Sequence, residues 1–310
     1  MGGAAARALA ERGADVTLYE QFEPGTARGS SHGRTRIFRL AYPDATWVAL
    51  AQEALAGWRE LERQSGTELL ELHGLVELAS SVELTSRDVL AALGVEHQLL
   101  EPAVARALGV QLPPGWVALR QADAGIVRAD LAIAAFLEGR PVERQRVESL
   151  DSLDADVVVV TAGPWVRRLV PEVPVRVTRE TIAYFRTDGP PIASVVELNE
   201  ETRGHAMYAL HDPVHGVKAG VHNAGHEADP ESYESASPEL VERIVDWVSS
   251  RLPDVDPEPV AAEPCLYTST ADESFVLERH GRVVVGSACS AHGFKFAPAI
   301  GRRLADLALG

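Results

Sequence analysis

The sequence predicts an α/β protein: a Rossmann-like layer whose first strand is missing, joined to an α+β part built on a mixed, largely antiparallel sheet. Three observations carry that prediction. An alanine-rich opening segment leads into a short strand that ends in an acid. Two valine runs, at 156–163 and 283–286, show no alternation, which suits strands buried on both faces of a parallel sheet. Between them, residues 173–222 alternate apolar and polar, the period of an antiparallel or mixed sheet.

The elements follow in order. Ala4, Ala5, Ala6, Ala8 and Ala10 favour a first helix, and Gly13 stops it. Residues 14–20 read as a strand ending in Glu20, and 21–35 as a loop rich in Gly and Ser. A long amphipathic helix is predicted over 44–65, where Trp47, Leu50, Ala54, Leu55, Trp58 and Leu61 recur at helical spacing. Short strands and helices follow to about residue 121, then a helix at 129–137. Strands at 175–185, 206–210 and 217–221 precede an amphipathic helix at 237–251. The closing helix begins near Pro298. The valine strands at 156 and 283 each need a neighbour, expected from the N-terminal segment. Sequence-distant pieces therefore rejoin. Residues 1–72, 122–172 and 268–310 are expected to form one domain, and 73–121 with 173–267 the other.

Composition narrows the function. The chain has 310 residues, of which 46% are hydrophobic and 24% charged, an ordinary globular balance that argues against disorder. Its net charge of −16 disfavours non-specific nucleic-acid binding. No apolar run approaches the roughly 20 residues of a membrane span. The start lacks the basic and apolar regions of a signal peptide. Cys265 and Cys289 are too few for a disulfide framework, so a reducing cytoplasm is expected. Only two of the 29 basic residues are lysines, Lys218 and Lys295. In a chain that uses arginine wherever charge alone matters, a retained ammonium points to a tight site.

A dinucleotide site of Rossmann type needs a strand, G-x-G-x-x-G, a helix, a second strand and an acid at its end. Helix, second strand and acid are present here, with Glu20 placed to hold ribose hydroxyls. The first strand and first two glycines are absent. The chain begins where the last glycine of the motif belongs, at Gly2, so it reads as N-terminally truncated.

Residues 29–42, GSSHGRTRIFRLAY, resemble the S-x-H-G-x-T-R-x-x-R-x-x-Y stretch of the monomeric sarcosine oxidase and N-methyltryptophan oxidase family of FAD-dependent amine oxidases. Three more stretches agree, in the same order along the chain. They are GVKAGVH at 216–222, CLYT at 265–268 and HGFKF at 292–296. The linker at 137–143 is shorter than the family's, and the family's tail after Leu309 is missing.

The resemblance implies a role for each matched residue. Lys218 would sit over the flavin ring and stabilise the charge that develops on O2; by itself it reads as a surface lysine on a strand. Arg39 and Lys295 would bind the substrate carboxylate, the arginine through two parallel N–H donors. Arg36 would lie close to the flavin, or serve a structural salt bridge. Cys265 would carry the flavin through a thioether, where a lone cysteine ordinarily reads as a small buried hydrophobe. His32, Tyr208, His222 and Tyr267 would shape the substrate pocket, although such residues are more often structural. Gly2, Glu20, Gly163 and Gly293 complete the cofactor set, with Gly163 letting backbone approach it. Cys289 matches no family cysteine and reads as packed.

The implied protein is a cytoplasmic, monomeric flavoprotein oxidase. It would bind FAD covalently through Cys265 and oxidise a small N-alkyl amino acid such as sarcosine with O2, giving an imine and hydrogen peroxide. No nucleic-acid or membrane partner is implied. Two other readings stay open on the sequence: a related amino-acid oxidase or dehydrogenase with noncovalent FAD, and a truncated, flavin-poor protein with a binding role. His205, His211, His215, His222 and His226 crowd 22 positions, but their spacings form no recognised ligand set, so no metal is expected.

Overall fold

The computed structural model describes residues 1–80, 84–198 and 206–310. The opening helix, Gly2–Ala10, buries Ala4, Ala5, Ala6, Ala8 and Leu9. Its small side chains admit the closing helix, Ala297–Leu309, so closely that a Cβ on Gly301 would fall 2.7 Å from the Ala4 backbone. The long helix Ala45–Ser65 starts at Asp44, whose carboxylate accepts from the Thr46 N–H, and stops at Gly66 in the left-handed region. Its apolar stripe includes Trp58, which is fully buried and donates its indole N–H to the Lys295 carbonyl at 2.7 Å. Trp58→Phe should retain most of the packing yet orphan that carbonyl. Urea denaturation should then read a loss of about 1–3 kcal/mol.

Among the described residues the strands form four sheets. The largest has nine strands, along the path His226–Glu227, Arg176–Phe185, Gly216–Val221, Met207–Asp212, Ser194–Glu197, Leu75–Ser80, Trp116–Gln121 and Gln98–Leu100. The ninth strand, Pro259–Ser269, pairs with Arg176–Phe185. Only Ser194–Glu197 and Leu75–Ser80 run parallel; the other pairs are antiparallel. This is the mixed sheet the alternation predicts. Helix Pro238–Arg251 closes it, packing Ile244, Trp247 and Val248 with Ala183, Phe185 and Val217.

The parallel layer differs from expectation in two ways. The N-terminal strand, Leu18–Glu20, pairs in parallel with Val142–Arg144, not with either valine strand. Val158–Val160 and Val283–Ser287 instead pair with one another, and Val276–His280 flanks the second. Burial on both faces holds for most of Val283–Ser287, but Val158 and Val159 are only half-buried because they wall a large cavity. A third small sheet, Thr35–Phe38, Gly125–Arg128 and Leu70–Glu71, sits between the parallel layer and the large sheet in the chain order. No described helix is long and apolar enough to cross a membrane.

Candidate active site

One cavity of about 1430 Å³ runs from the opening helix and Glu20, past the wall of Val158–Val160, to Lys218 and Lys295. An ordinary small-molecule pocket holds roughly 300–1,000 Å³, so this volume suits a dinucleotide and a second, small molecule together. Of the sequence-predicted site residues, Gly2, Glu20, Arg36, Arg39, Gly163 and Tyr208 line it. So do Lys218, His222, Cys265, Tyr267, Gly293 and Lys295.

His32 is the exception and corrects the expectation. It does not line the cavity. Its ring is buried behind the wall, with Nδ1 2.9 Å from the Gly29 carbonyl. That contact makes Nδ1 the donor. Burial, aided by the Arg36 charge, brings its pKa down to about 4, so the ring is neutral. Its Nε2 has no hydrogen-bond partner and lies 3.9 Å from Glu263 Oε2, while the His32 carbonyl accepts from Arg36 Nη2 at 2.6 Å.

The end nearest the opening helix has the character of a phosphate site. The first turn holds no acid and the helix has no side-chain cap, so its N–H groups are free for an anion. Gly2 is required by space, because a Cβ there would meet Thr161 Oγ1 at 2.7 Å. Glu20 stands at the end of its strand, with Oε1 accepting from the Phe22 N–H at 3.0 Å. Gly163 has φ +53, a conformation that suits glycine, and opens the turn after Val158–Val160. Ser30 Oγ, on the cavity wall, is buried without a hydrogen-bond partner. These features fit a dinucleotide cofactor.

At the other end two cations converge. Lys218 projects from Gly216–Val221, is 4% exposed, and donates to the Thr35 carbonyl at 3.3 Å. Burial first, and the Arg36 charge second, bring its pKa down to about 7. Arg36 is fixed by the carbonyls of Thr35, Ser30 and His32 at 2.8, 2.7 and 2.6 Å. No carboxylate pairs with it among the described residues. A Cβ at Gly33 would touch both cations, and the φ of +77 there also suits glycine. Cys265 faces the same space from Pro259–Ser269. Burial pushes its thiol pKa up, while Arg36 and Lys218 oppose that shift. Tyr208 and Tyr267 are driven upward by burial and remain neutral phenols. His222 lies 5.8 Å from the Tyr267 ring and 3.4 Å from Glu273 Oε1.

A second pair of basic residues, Lys295 and Arg39, lines the same cavity. Lys295 is 2% exposed in the short turn Gly293–Phe296 and donates to the His292 carbonyl at 2.9 Å. Burial, then Arg39, holds it well below its ordinary pKa. Arg39 lies with Cζ 4.4 Å above the Tyr42 ring and Nη1 3.4 Å from Glu77 Oε2. The turn is tightly built. Ser290 and Ala291 have φ of 33° and 62°, and a Cβ on Gly293 would strike the Ala288 carbonyl. Such non-glycine conformations cost about 1–3 kcal/mol each and persist where the surroundings impose them.

Sequence reasoning missed several neighbours. Glu77 is fully buried on Leu75–Ser80, where it accepts from Ser86 and from Arg39. Burial pushes its carboxyl pKa up, against the pull of Arg39. An acid between apolar residues of a strand was its only signal. His292 sits among Trp47, Phe275 and Phe296. Its Nε2–H donates to the Glu273 carbonyl at 3.2 Å, which leaves Nδ1 facing the Tyr42 hydroxyl at 3.4 Å. Burial and Lys295 bring its pKa down to about 3, keeping it neutral. The crowded histidines do not assemble. His222 lines the cavity, His215 packs on Tyr184, and His226 pairs with Glu234, while His205 lies outside the described residues.

Comparison with known proteins agrees with this geometry. The peroxisomal sarcosine oxidase of Homo sapiens is 31% identical over 97% of this chain and 87% of its own length. The monomeric sarcosine oxidase of Streptomyces avermitilis is 31% identical, covering 100% of this chain and 91% of that protein. The N-methyl-L-tryptophan oxidase of Salmonella heidelberg is 27% identical over 99% of this chain and 92% of its own. Among solved structures, the open form of NikD, an unusual amino acid oxidase essential for nikkomycin biosynthesis, matches with a TM-score of 0.85. That match has 25% identity and covers 99% of this chain and 91% of NikD. The family model described as FAD dependent oxidoreductase, DAO, matches residues 1–307, and the chain belongs to that family.

Proposed function

We propose that this protein is an oxidase of small N-methyl amino acids, with sarcosine as the model substrate. One observation carries the reading: two pairs of cations, Lys218 with Arg36 and Lys295 with Arg39, face a single cavity whose far end has the features of a dinucleotide site. FAD held there by the opening helix, Glu20, Gly163 and Gly293 would supply the redox chemistry, taking up the hydride lost from the carbon next to the substrate nitrogen, with O2 as final acceptor and hydrogen peroxide as product.

The chain's own residues bind, orient and polarise. The helix N-terminus and Glu20 hold the dinucleotide end, and Gly163 and Gly293 bring backbone close to it. Arg39 and Lys295 hold the substrate carboxylate. Neutral tyrosines at 208 and 267, with His222, line the pocket around the amine and favour its free base, the form from which hydride can leave. Lys218 stabilises the negative charge that develops on O2 in a dry site. Arg36 supplies a fixed positive potential beside it. In this reading residues 1–72, 122–172 and 268–310 form the FAD-binding domain. Residues 73–121 and 173–267 form the substrate domain, a division supported by membership of the nine-stranded sheet. The protein acts as a cytoplasmic monomer.

Cys265 is the proposed attachment point of the flavin. Acid precipitation of the yellow protein should leave flavin in the pellet, and Cys265→Ser should release it into the supernatant. Pellet fluorescence that survives in the serine variant would place the link elsewhere. The activity itself is tested by adding sarcosine anaerobically to purified, FAD-supplemented protein. Loss of the flavin absorbance, then stoichiometric hydrogen peroxide on admitting air, is the expected result. Protein that takes up no flavin, or flavin that no N-methyl amino acid bleaches, would overturn the proposal.

A further inference from the structure

We propose a second ligand site, for one divalent transition-metal ion, formed by Glu71, His73 and His211 on the wall of the protein away from the flavin cavity. One ligand atom from each of the three residues lies within 4.8 Å of the other two. None of the three lines the large cavity. Two imidazoles and a carboxylate are the donors of a zinc, nickel or copper site, whereas magnesium and calcium prefer oxygen alone.

The three donors come from two chain segments. Glu71 ends the strand Leu70–Glu71, His73 follows in the turn, and His211 lies on Met207–Asp212 of the large sheet. The His211 ring stands edge-on to His73, with centroids 5.5 Å apart. Glu71 Oε2 and His73 Nε2 are 3.3 Å apart. Ligand atoms about 2.0–2.2 Å from a tetrahedral zinc have a similar edge between them.

The surroundings orient the donors as outer partners of metal ligands do. His211 Nδ1 is 3.2 Å from the Gly216 carbonyl and can only donate to it, which leaves the Nε2 lone pair for a metal. Arg128 holds Glu71 Oε1 at 3.2 Å, so Oε2 is the oxygen turned toward His73. The segment is also rigid. A Cβ on Gly125 would strike the Glu71 carbonyl at 2.2 Å and the His73 nitrogen at 2.8 Å, so the backbone of 71–73 is seated directly on Gly125. The Gly74 N–H donates to the Ala124 carbonyl at 2.7 Å, and Ser194 N–H to the Gly74 carbonyl at 2.9 Å. The His73 and Glu71 side chains are 30% and 22% exposed, which lets water fill the remaining coordination position. The ion would tie the turn at 73 to the strand at 211, a structural role separate from amine oxidation.

The test uses untagged holoenzyme freed of metal by a chelator. Calorimetric titration with ZnCl2 should show one saturable site, and Tm should rise with zinc. His73→Gln and His211→Gln should each weaken binding at least tenfold and abolish the Tm response, while flavin reduction by sarcosine is unchanged. Co2+ gives a second readout on the unaltered protein: the intense visible bands of a four- or five-coordinate ion are expected. Absence of a saturable zinc site, binding that survives both substitutions, or a Co2+ spectrum like that of the aqueous ion would each overturn the proposal.

Discussion

A Lys218→Met variant is expected to reoxidise with O2 about 100- to 1,000-fold more slowly than the parent, by analogy with the loss of one preorganised group that stabilises developing charge. Its anaerobic reduction by sarcosine should proceed at nearly the parent rate. Under the proposed function the two half-reactions separate because Lys218 would meet charge on oxygen, and Arg39 and Lys295 the substrate. Stopped-flow absorbance measures each alone. Equal slowing of both halves would mean that Lys218 positions the substrate or the flavin instead.

The same variant has a signature in stability. In the flavin-free protein Lys218 titrates near 7, against an ordinary 10.5. Between those values the unfolded chain binds more protons than the folded one, so this group makes the protein more stable as pH rises from 7 toward 10.5. Below pH 7 both states carry the charge, and its burial counts fully against folding. Methionine fills the space without that charge. Urea denaturation at pH 7 and pH 9 should therefore show a smaller gain with pH in Lys218→Met than in the parent.

Arg39→Met is expected to raise the KM for sarcosine by about 100-fold, within the cost of truncating one member of a desolvated charge pair. Inhibition by acetate, which offers the carboxylate alone, should weaken in parallel. The fold should survive because Glu77, the partner left behind, is already pushed toward its protonated form by burial. Arg39→Lys keeps the charge but loses the fork of parallel donors, so it should fall between the parent and Arg39→Met. Unchanged acetate inhibition in Arg39→Met would assign the carboxylate to Lys295 alone.

Much of this was legible before any coordinates. Helix Ala45–Ser65 declares itself through a 3.6-residue apolar rhythm, a local property of the chain; the structure adds its Asp44 cap and Gly66 stop. The alternation at 173–222 likewise marks strands of a mixed sheet but not their burial, since Arg176–Phe185 and Gly216–Val221 are buried on both faces nearly throughout. Strand partnership was not legible, because Leu18–Glu20 meets Val142–Arg144 across more than a hundred residues and nothing in either triplet selects the other. The motifs brought twelve predicted site residues to one cavity, but not His32, whose ring direction depends on a contact with Gly29. Protonation was beyond reach as well. His292 is neutral because it is buried beside Lys295 and Arg39; Lys295 shares its motif, but Arg39 and the burying Trp47 come from a distant stretch of chain.

The chain carries a net charge of −16, yet both of its lysines, with Arg36 and Arg39, line the cavity. At physiological salt the reach of a charge is about 8 Å, so an approaching molecule meets the acidic exterior before it senses Lys295 or Arg39. A bare carboxylate is slowed by that exterior, whereas a zwitterionic amino acid crosses it without net repulsion. Under the proposed function, visitors would thus be screened twice, by overall charge on the way in and by carboxylate within.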